Sequence, residues 1–177
     1  QFLYFIGVSS LKMLRSAGFQ RLTTETTLAA WRGLLSKDVY GSHALEVVGC
    51  NPFLQAHVSQ DGTTMAFPML CTEASANVFR TMHGGELLSL VDMVTTLHFV
   101  HAVAGEQLHA TSHMGTQFLR AVPLGTEMVA LTTVRRAGRT GFMDARILPL
   151  ANLESAGSSG DGSFAVGNAT KVLLKKR

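Results

Sequence analysis

Charged residues are scarce in this chain of 177 residues: aspartate, glutamate, lysine and arginine make up 15% of it, against 46% hydrophobic residues. A chain with this much apolar material is not intrinsically disordered. Its length fits one domain, or one domain with an appended arm, and argues against two full domains. Because few charges are left to cover the exterior of a monomer, we expect some apolar surface to meet another subunit. The sequence therefore predicts an oligomer.

Cysteines and long apolar runs are also scarce. Cys50 and Cys71 are the two cysteines, which is too few for a disulfide framework and fits a reducing compartment. No apolar run approaches the roughly 18–20 residues that a membrane span needs, so we expect no membrane-spanning segment. The sequence also lacks the G-x-S-x-G motif, the P-loop and the dinucleotide fingerprint, which argues against the enzyme classes that depend on them.

Positive charge lies mainly at the two ends of the chain, although the net charge is only +3. Lys12, Arg15 and Arg21 precede the first acidic residue, Glu25, and a second basic group closes the chain. A nucleic-acid-binding protein usually carries a basic stripe with interleaved aromatic residues, and this chain does not. The terminal charges suit an anionic small ligand or a targeting signal, and we expect no nucleic-acid partner.

Residues 1–24 contain basic, hydroxyl and large apolar side chains but no acidic residue. This composition is typical of a mitochondrial presequence, and Met13 could be the true start of the protein. An ordinary N-terminal arm is the alternative. We therefore expect residues 25–177 to form the folded domain and the protein to reach the mitochondrion, with the cytoplasm as the other compartment.

Apolar periodicity predicts two helices and one early hairpin. A short amphipathic helix is expected over residues 26–36, and a buried helix over 83–104, where apolar side chains lie almost all round. Residues 53–58 and 63–70 are β-prone and flank an Asp-Gly turn, which indicates a hairpin.

The second half of the chain is rich in β-forming residues. Four strands are expected over 111–118, 127–134, 141–148 and 163–174, with a flexible hairpin loop at 152–162. One long buried helix followed by antiparallel strands, with one hairpin before it, predicts an α+β fold in which the sheet wraps around the helix.

Two glycines, Gly84 and Gly85, stand where a loop is predicted to become the long helix. Exposed N–H groups at a helix start can bind an anion or an oxyanion, and the glycines let a ligand approach the backbone. For a glycine pair taken alone, an ordinary junction between a loop and a helix is the alternative.

Asp92 lies inside the predicted apolar helix, in a narrow polar strip with Ser89, Thr95 and Thr96. A carboxylate in a buried helix must be hydrogen-bonded, paired with a cation or exposed in a cleft. The alternative is that the strip faces solvent or caps a loop.

The combination of Asn77, His83-Gly84-Gly85, Asp92 and the segment 111–125 resembles the hotdog-fold acyl-CoA thioesterases. The matching branch is that of the phenylacetate-pathway thioesterases and thioesterase superfamily member 2, and the resemblance covers roughly residues 44–174. It implies an antiparallel sheet wrapped around one central helix and a homo-oligomer, either a dimer or a dimer of dimers. It also implies hydrolysis of an acyl-CoA to free acid and coenzyme A, without a metal or an organic cofactor.

The resemblance also implies catalytic roles for five residues. The Gly84 N–H would polarise the thioester carbonyl, and Asp92, reaching across a dimer interface, would be the general base or the nucleophile. Asn77 would orient the thioester or the water, Thr111 would help to place the water, and His83 would shape the loop.

Substrate-binding candidates come from the helix start, from the segment 165–171 and from cationic groups near the site. The segment resembles the final strand that runs beside the coenzyme A arm in this family, and Arg120 is a further cation considered. The candidates are Gly85, Arg80, Arg139, Gly167, Asn168 and Lys171.

Two residues depart from the pattern of the family. Arg80 stands where relatives commonly carry glycine, so it alters the loop or meets a phosphate of coenzyme A. Glu86 suits the helix dipole but could repel an anionic substrate. A protein on the same fold that binds acyl-CoA or a fatty acyl group without hydrolysing it is therefore the alternative function.

Histidines also suggest a zinc site. His98 and His101 would share a helix face, and His109 and His113 a strand face, but no acid or thiol joins them at a tight spacing. Structural histidines are the favoured interpretation, and we expect no metal.

Overall fold

The computed structural model describes residues 8–104 and 108–174. Five α-helices within these ranges are α1 (Val8–Ser16), α2 (Glu25–Leu35), α3 (Val39–Val47), α4 (Pro52–Gln55) and α5 (Gly84–Ala102). Seven strands are β1 (Phe19–Arg21), β2 (His57–Ser59), β3 (Thr64–Leu70), β4 (His109–Phe118), β5 (Glu127–Arg136), β6 (Thr140–Pro149) and β7 (Ala165–Leu173). The two predicted helices and the four predicted later strands are all present, with small shifts at their ends.

All seven strands form one antiparallel sheet in the order β1-β2-β3-β5-β6-β7-β4. The sheet wraps around α5, which packs against β4, β5, β6 and β7. The predicted α+β architecture, an antiparallel sheet around one long helix, is confirmed. β4 lies at the edge of the sheet and pairs with β7 along one side only.

Helix α5 is buried on almost every side, as its apolar composition predicts. Its residues Leu90, Val91 and Leu97 belong to the main hydrophobic core. On the side away from the sheet, α2 and α3 cover it, and the Trp31 indole on α2 donates a hydrogen bond of 2.8 Å to the Leu97 carbonyl. Because α5 is held from both sides, polar groups on it have fixed positions relative to the sheet.

The early hairpin is present, but its first strand is shorter than predicted. β2 pairs with β3, whereas residues 52–55 form helix α4. The side chain of Asn51 caps this helix by accepting a hydrogen bond of 3.1 Å from the Phe53 N–H, and Pro52 follows at its start. An asparagine cap followed by proline favours a helix start, and this local signal overrides the β-propensity of the segment.

The predicted hairpin loop at 152–162 lies between β6 and β7, but hydrogen bonds hold it in place. The buried carboxylate of Asp161 accepts bonds of 2.9 Å from the N–H groups of Gly157 and Ser163 and pairs with Arg146 at 2.5 Å. Charge-assisted hydrogen bonds of this kind are strong. The loop is therefore fixed by its own buried acid, contrary to the prediction of a flexible segment.

The N-terminal segment packs on the sheet as far as it is described. Leu14 on α1 is fully buried in a second apolar cluster with Val129 and Leu148, and β1 extends the sheet by pairing with β2. Residues 1–7 lie outside the described residues, and a targeting role of residues 1–24 stays a prediction. Across residues 8–104 and 108–174, none of the helices has the length and apolar character to cross a membrane.

Candidate active site

The loop before α5 is a compact turn held by Asn77. Its side-chain oxygen accepts hydrogen bonds from the Phe79 N–H at 2.9 Å and from the Thr81 N–H at 3.3 Å. Arg80, inside this turn, has a φ of +58°, which is the left-handed region that favours glycine. Arg80 therefore adopts a conformation that glycine takes more readily, and the turn is formed at a cost in backbone strain.

His83 caps the start of α5 through a hydrogen bond that occupies the N–H group of one of the two glycines. The Gly85 N–H donates to Nδ1 of His83 at 2.9 Å, so His83 shapes the helix start. Gly84 is the first helical residue, and its N–H therefore points out of the helix rather than into its hydrogen-bond ladder. A Cβ built on Gly84 would lie 3.7 Å from the Phe118 ring. The helix start thus offers the Gly84 N–H, at the positive end of α5, to an oxyanion.

Asp92 is partly exposed at the end of an otherwise buried polar strip, and it does not cap a loop. Its Oδ1 accepts a hydrogen bond of 2.8 Å from the Thr111 hydroxyl on β4, and its side chain is 38% exposed. The other members of the strip, Ser89, Thr95 and Thr96, are buried. The structure thus brings Asp92 and Thr111 together, with a carboxylate that is anchored and still open to water.

Lys171 is the third member of this cluster, which corrects its predicted role. Its Nζ lies 2.7 Å from Oδ1 of Asp92, and its side chain is 0% exposed. Burial lowers the pKa of Lys171, and the neighbouring Asp92 charge opposes that shift. A fully buried ammonium group cannot reach a phosphate of coenzyme A at the site entrance, so Lys171 does not fit the role of a substrate-binding cation.

Gly84 and Asp92 lie apart within one subunit. They are eight residues apart on α5, which at about 1.5 Å of rise per residue is about 12 Å. A thioester carbonyl and its attacking water, each held by hydrogen bonds of about 3 Å, bridge a shorter span. Within one copy of the chain, Gly84 and Asp92 are therefore too far apart to act on the same carbonyl group.

The edge of the sheet beside Asp92 is open. β4 carries Thr111 and presents the backbone groups of its outer side without a neighbouring strand among the described residues. Apolar side chains are also exposed in the loop before α5, where Val78 is 91% and Phe79 82% exposed. An open strand edge and exposed apolar residues beside a candidate site are typical of a surface that meets another chain.

Gly167 and Asn168 on β7 are not equivalent, because successive residues of a strand point to opposite faces. Gly167 shares the face of Lys171, and a Cβ there would lie 2.9 Å from the Gly115 carbonyl and 3.1 Å from Val91 on α5. Its role is close packing of β7 against its neighbours. Asn168 is exposed on the face away from α5, apart from Asp92 and Lys171, and its predicted contact with the coenzyme A arm stays a prediction.

Two of the predicted cations are placed to meet an anion. Arg80 is exposed beside the helix start, and Arg139 is exposed in the turn before β6, where its carbonyl accepts from the Leu173 N–H at 2.9 Å. That turn lies at the end of β7 that holds Lys171. Arg120 instead donates to the Ser163 carbonyl at 3.3 Å and stacks over a ring at 5.5 Å.

The histidines have structural partners. Nδ1 of His98 lies 2.8 Å from the Thr132 hydroxyl, and Nδ1 of His101 lies 2.9 Å from the Thr27 hydroxyl. Burial lowers the pKa of His98 to about 3. In the part of the chain that the structure describes, three or more acidic, cysteine or histidine side chains nowhere gather at metal-binding distance.

Glu86, the second departure from the family pattern, lies in the first turn of α5, and burial raises the pKa of its carboxyl group. The nearby His43 on α3 opposes that shift.

The Asp92–Lys171 pair was missed in the sequence, although a signal for it exists. On β7 the residues that alternate with Lys171 are Ala165, Gly167 and Ala169, and period-two alternation places all four on one face. A lysine in a row of small residues on the inner face of a strand predicts a buried ammonium group, which needs an acid as partner.

Comparison with known proteins agrees with the motif. Residues 79–146 match the family model of the thioesterase superfamily, a range that contains Gly84, Asp92 and Thr111. A comparison with curated protein sequences gives no match. The match covers less than half of the chain, and it includes the helix start and the acid that form the two halves of the site.

Solved structures of thioesterases share the fold. The PaaI protein from the phenylacetic acid degradation operon of E. coli is 18% identical, with a TM-score of 0.62 over 86% of this chain and 96% of that one. Zebra fish thioesterase superfamily member 2 is 20% identical, with a TM-score of 0.62 over 86% and 99%. A hypothetical thioesterase from Streptococcus pneumoniae with coenzyme A is 19% identical, with a TM-score of 0.52 over 65% and 81%. The resemblance to hotdog-fold thioesterases is confirmed, and the fold is the hotdog fold.

Proposed function

We propose that this protein is an acyl-CoA thioesterase that works as a homodimer, with each active site shared between two subunits. The observation that carries the proposal is the Asp92–Thr111 pair at the open edge of β4, about 12 Å along α5 from the Gly84 N–H. A second copy pairing along β4 brings its own Gly84 towards Asp92 and completes the site. The coenzyme A in the streptococcal structure supports the class of substrate.

The proposed reaction uses one water molecule. The thioester carbonyl oxygen accepts a hydrogen bond from the Gly84 N–H of one subunit, at the positive end of α5. Asp92 of the other subunit removes a proton from the water as its oxygen attacks the carbonyl carbon. The tetrahedral intermediate then collapses and the carbon–sulfur bond breaks. The coenzyme A thiolate takes the proton that Asp92 removed from the water, so that the products are the free acid and coenzyme A and Asp92 is again a carboxylate.

In the alternative route, Asp92 is the nucleophile: it attacks the carbonyl carbon, the carbon–sulfur bond breaks and the coenzyme A thiolate leaves. Water then hydrolyses the mixed anhydride to the free acid and the Asp92 carboxylate, and one proton of that water goes to the thiolate. In either route no metal or organic cofactor enters the proposed reaction.

Positive groups beside the site suit the phosphates of coenzyme A. Arg80 and Arg139 are both exposed, and a guanidinium group can bind phosphate through two hydrogen bonds.

The homodimer is proposed either alone or as half of a dimer of dimers. A monomer found by light scattering at micromolar concentration would contradict both.

Residues 1–24 are proposed to direct the protein to the mitochondrion. This proposal fails if deletion of these residues leaves the distribution of the protein in cells unchanged.

Thiol release from a panel of acyl-CoA substrates tests the activity. One short, one long and one aromatic acyl-CoA are incubated with the wild-type protein and with Asp92→Asn, which keeps the shape of the side chain. Losing a positioned general base costs ~10²–10⁴-fold in rate, so Asp92→Asn is expected to lower kcat at least about 100-fold with little change in KM.

A variant that retains more than about a tenth of the wild-type kcat would show that Asp92 is a structural acid. Tight binding of acyl-CoA with no thiol release from any substrate would favour the alternative, a binding protein on the same fold.

A further inference from the structure

Lys171 is a buried cation on the inner face of the sheet, among small residues. Its side chain is 0% exposed, and an ammonium group carries three protons that all need acceptors when buried. Three side-chain oxygens surround Nζ: Oδ1 of Asp92 at 2.7 Å, the Thr96 hydroxyl at 2.7 Å and the Thr111 hydroxyl at 2.8 Å. The acceptors match the protons in number, and the Asp92 carbonyl at 3.2 Å adds a fourth contact.

The two donors that reach the Asp92 carboxylate bind the same oxygen. Thr111 and Lys171 both donate to Oδ1, and none of the hydrogen bonds among the described residues reaches Oδ2. Because the side chain is 38% exposed, Oδ2 is the oxygen that meets water. The cluster is therefore asymmetric, with one oxygen held and the other presented.

We propose that Lys171 is a positioning residue for the reaction: its buried ammonium group holds Oδ1 of Asp92 and leaves Oδ2 to take the proton of the attacking water. This inference rests on the proposed thioesterase function. Lys171 does not touch the substrate, and its effect passes through Asp92. Thr111 belongs to the same arrangement, because its hydroxyl donates to Asp92 while it accepts from Lys171.

Among the described residues, Asp92 is the acid that pairs with Lys171. Lys171 and Thr111 are the two side-chain donors that hold Oδ1 of Asp92. Without Lys171 the carboxylate keeps one of these two contacts, and its orientation towards the attacking water is less well fixed. A positioning role therefore predicts a loss in kcat with little change in KM.

The experiment compares Lys171→Met, Lys171→Gln and the matched control Lys37→Met, which makes the same change at an exposed position after α2. Thiol release from a good acyl-CoA substrate gives kcat and KM for each variant. For both Lys171 variants we expect kcat to fall at least about tenfold with KM little changed. The loss is expected to be smaller in Lys171→Gln, which keeps a hydrogen-bond donor for Asp92. Lys37→Met is expected to keep the wild-type kcat and KM.

Lys171→Met is also combined with Asp92→Asn. Because Lys171 acts through Asp92, the double variant is expected to lose no more activity than Asp92→Asn alone. A kcat within about twofold of wild type in both Lys171 variants, or a full additive loss in the double variant, overturns the inference. A rise in KM without a change in kcat also overturns it, because that result belongs to a substrate-binding cation. If Lys171→Met does not fold, the same measurements on Lys171→Gln, which keeps a hydrogen-bond donor, decide the test.

A second readout separates this inference from the proposed function. Carbon NMR of labelled aspartate carboxyl groups, with the Asp92 signal assigned by its loss in Asp92→Asn, reports the contact between Asp92 and Lys171 without any turnover. If the wild-type protein hydrolyses no acyl-CoA, the proposed function fails while the chemical shift of Asp92 still tests the pairing. An Asp92 signal that is unchanged in both Lys171 variants overturns the inference whatever the activity.

Discussion

Replacing Gly84 with proline removes one N–H group from the proposed site and leaves the helix in place. Gly84 is the first residue of α5, a position at which proline is favoured because its missing N–H has no partner in the helix. Residues before proline prefer an extended backbone, and His83 already has φ −65° and ψ 135°. The ring also has room, because a Cβ at Gly84 would lie 3.7 Å from Phe118.

The expected loss follows from the role of the N–H in the transition state. Removing one oxyanion donor typically lowers kcat ~10²–10³-fold, or about 2.7–4 kcal/mol. Gly84→Pro is therefore expected to lose at least about 100-fold in kcat with KM changed much less. Thiol release from a good acyl-CoA substrate measures both constants, and unfolding in urea checks that the variant keeps its stability.

The matched control is Gly84→Ala, which adds a side chain and keeps the N–H. It is expected to lose less activity than Gly84→Pro, because only the latter removes the donor. Equal losses in the two variants would mean that the added bulk, and not the missing hydrogen bond, slows the reaction. A folded Gly84→Pro variant with more than about a tenth of the wild-type kcat would refute the oxyanion role.

Three further predictions use other parts of the fold. Arg80→Gly removes the strain of an arginine in the left-handed backbone conformation, so the free energy of unfolding in urea is expected to rise by about 1 kcal/mol. An unchanged free energy of unfolding would show that Arg80 is not strained. Burial lowers the pKa of His98 to about 3, whereas a histidine in the unfolded state has a pKa near 6.5. As the pH falls, His98 therefore binds a proton in the unfolded state first. The free energy of unfolding is expected to drop by about 2 kcal/mol between pH 7.5 and pH 5. His98→Gln is expected to flatten that dependence, and an unchanged slope would refute it. Arg139→Glu is expected to raise KM for acyl-CoA more than for a thioester without the nucleotide, and equal effects would argue against a phosphate contact.

Local patterns predicted those elements whose cause is local. Helix α5 was predicted over 83–104 and lies at Gly84–Ala102, because an apolar run of this length with a glycine pair at its start allows few other structures. The early hairpin shows the limit of this reasoning. Its β-prone residues 53–55 lie in helix α4, where the Asn51 cap and Pro52 decide the conformation.

The candidate site depended on contacts between distant parts of the chain. The motif named Gly84, Asp92 and Thr111, but the pairing of Asp92 with Lys171 joins residues 79 positions apart. It exists because α5 packs against β7, which no local pattern states. The opposite orientation of Asn168 could have been derived from strand alternation.

Hybrid dimers test the central claim, that Asp92 of one subunit works with Gly84 of the other. Asp92→Asn and Gly84→Pro chains are expressed together with different tags, and the hybrid is purified on both tags. In a shared site, the hybrid combines the intact Asp92 of one chain with the intact Gly84 of the other, so one of its two sites is complete. We predict that it recovers about half of the wild-type kcat although each parent variant is nearly inactive. A hybrid no more active than its parents would contradict the shared site.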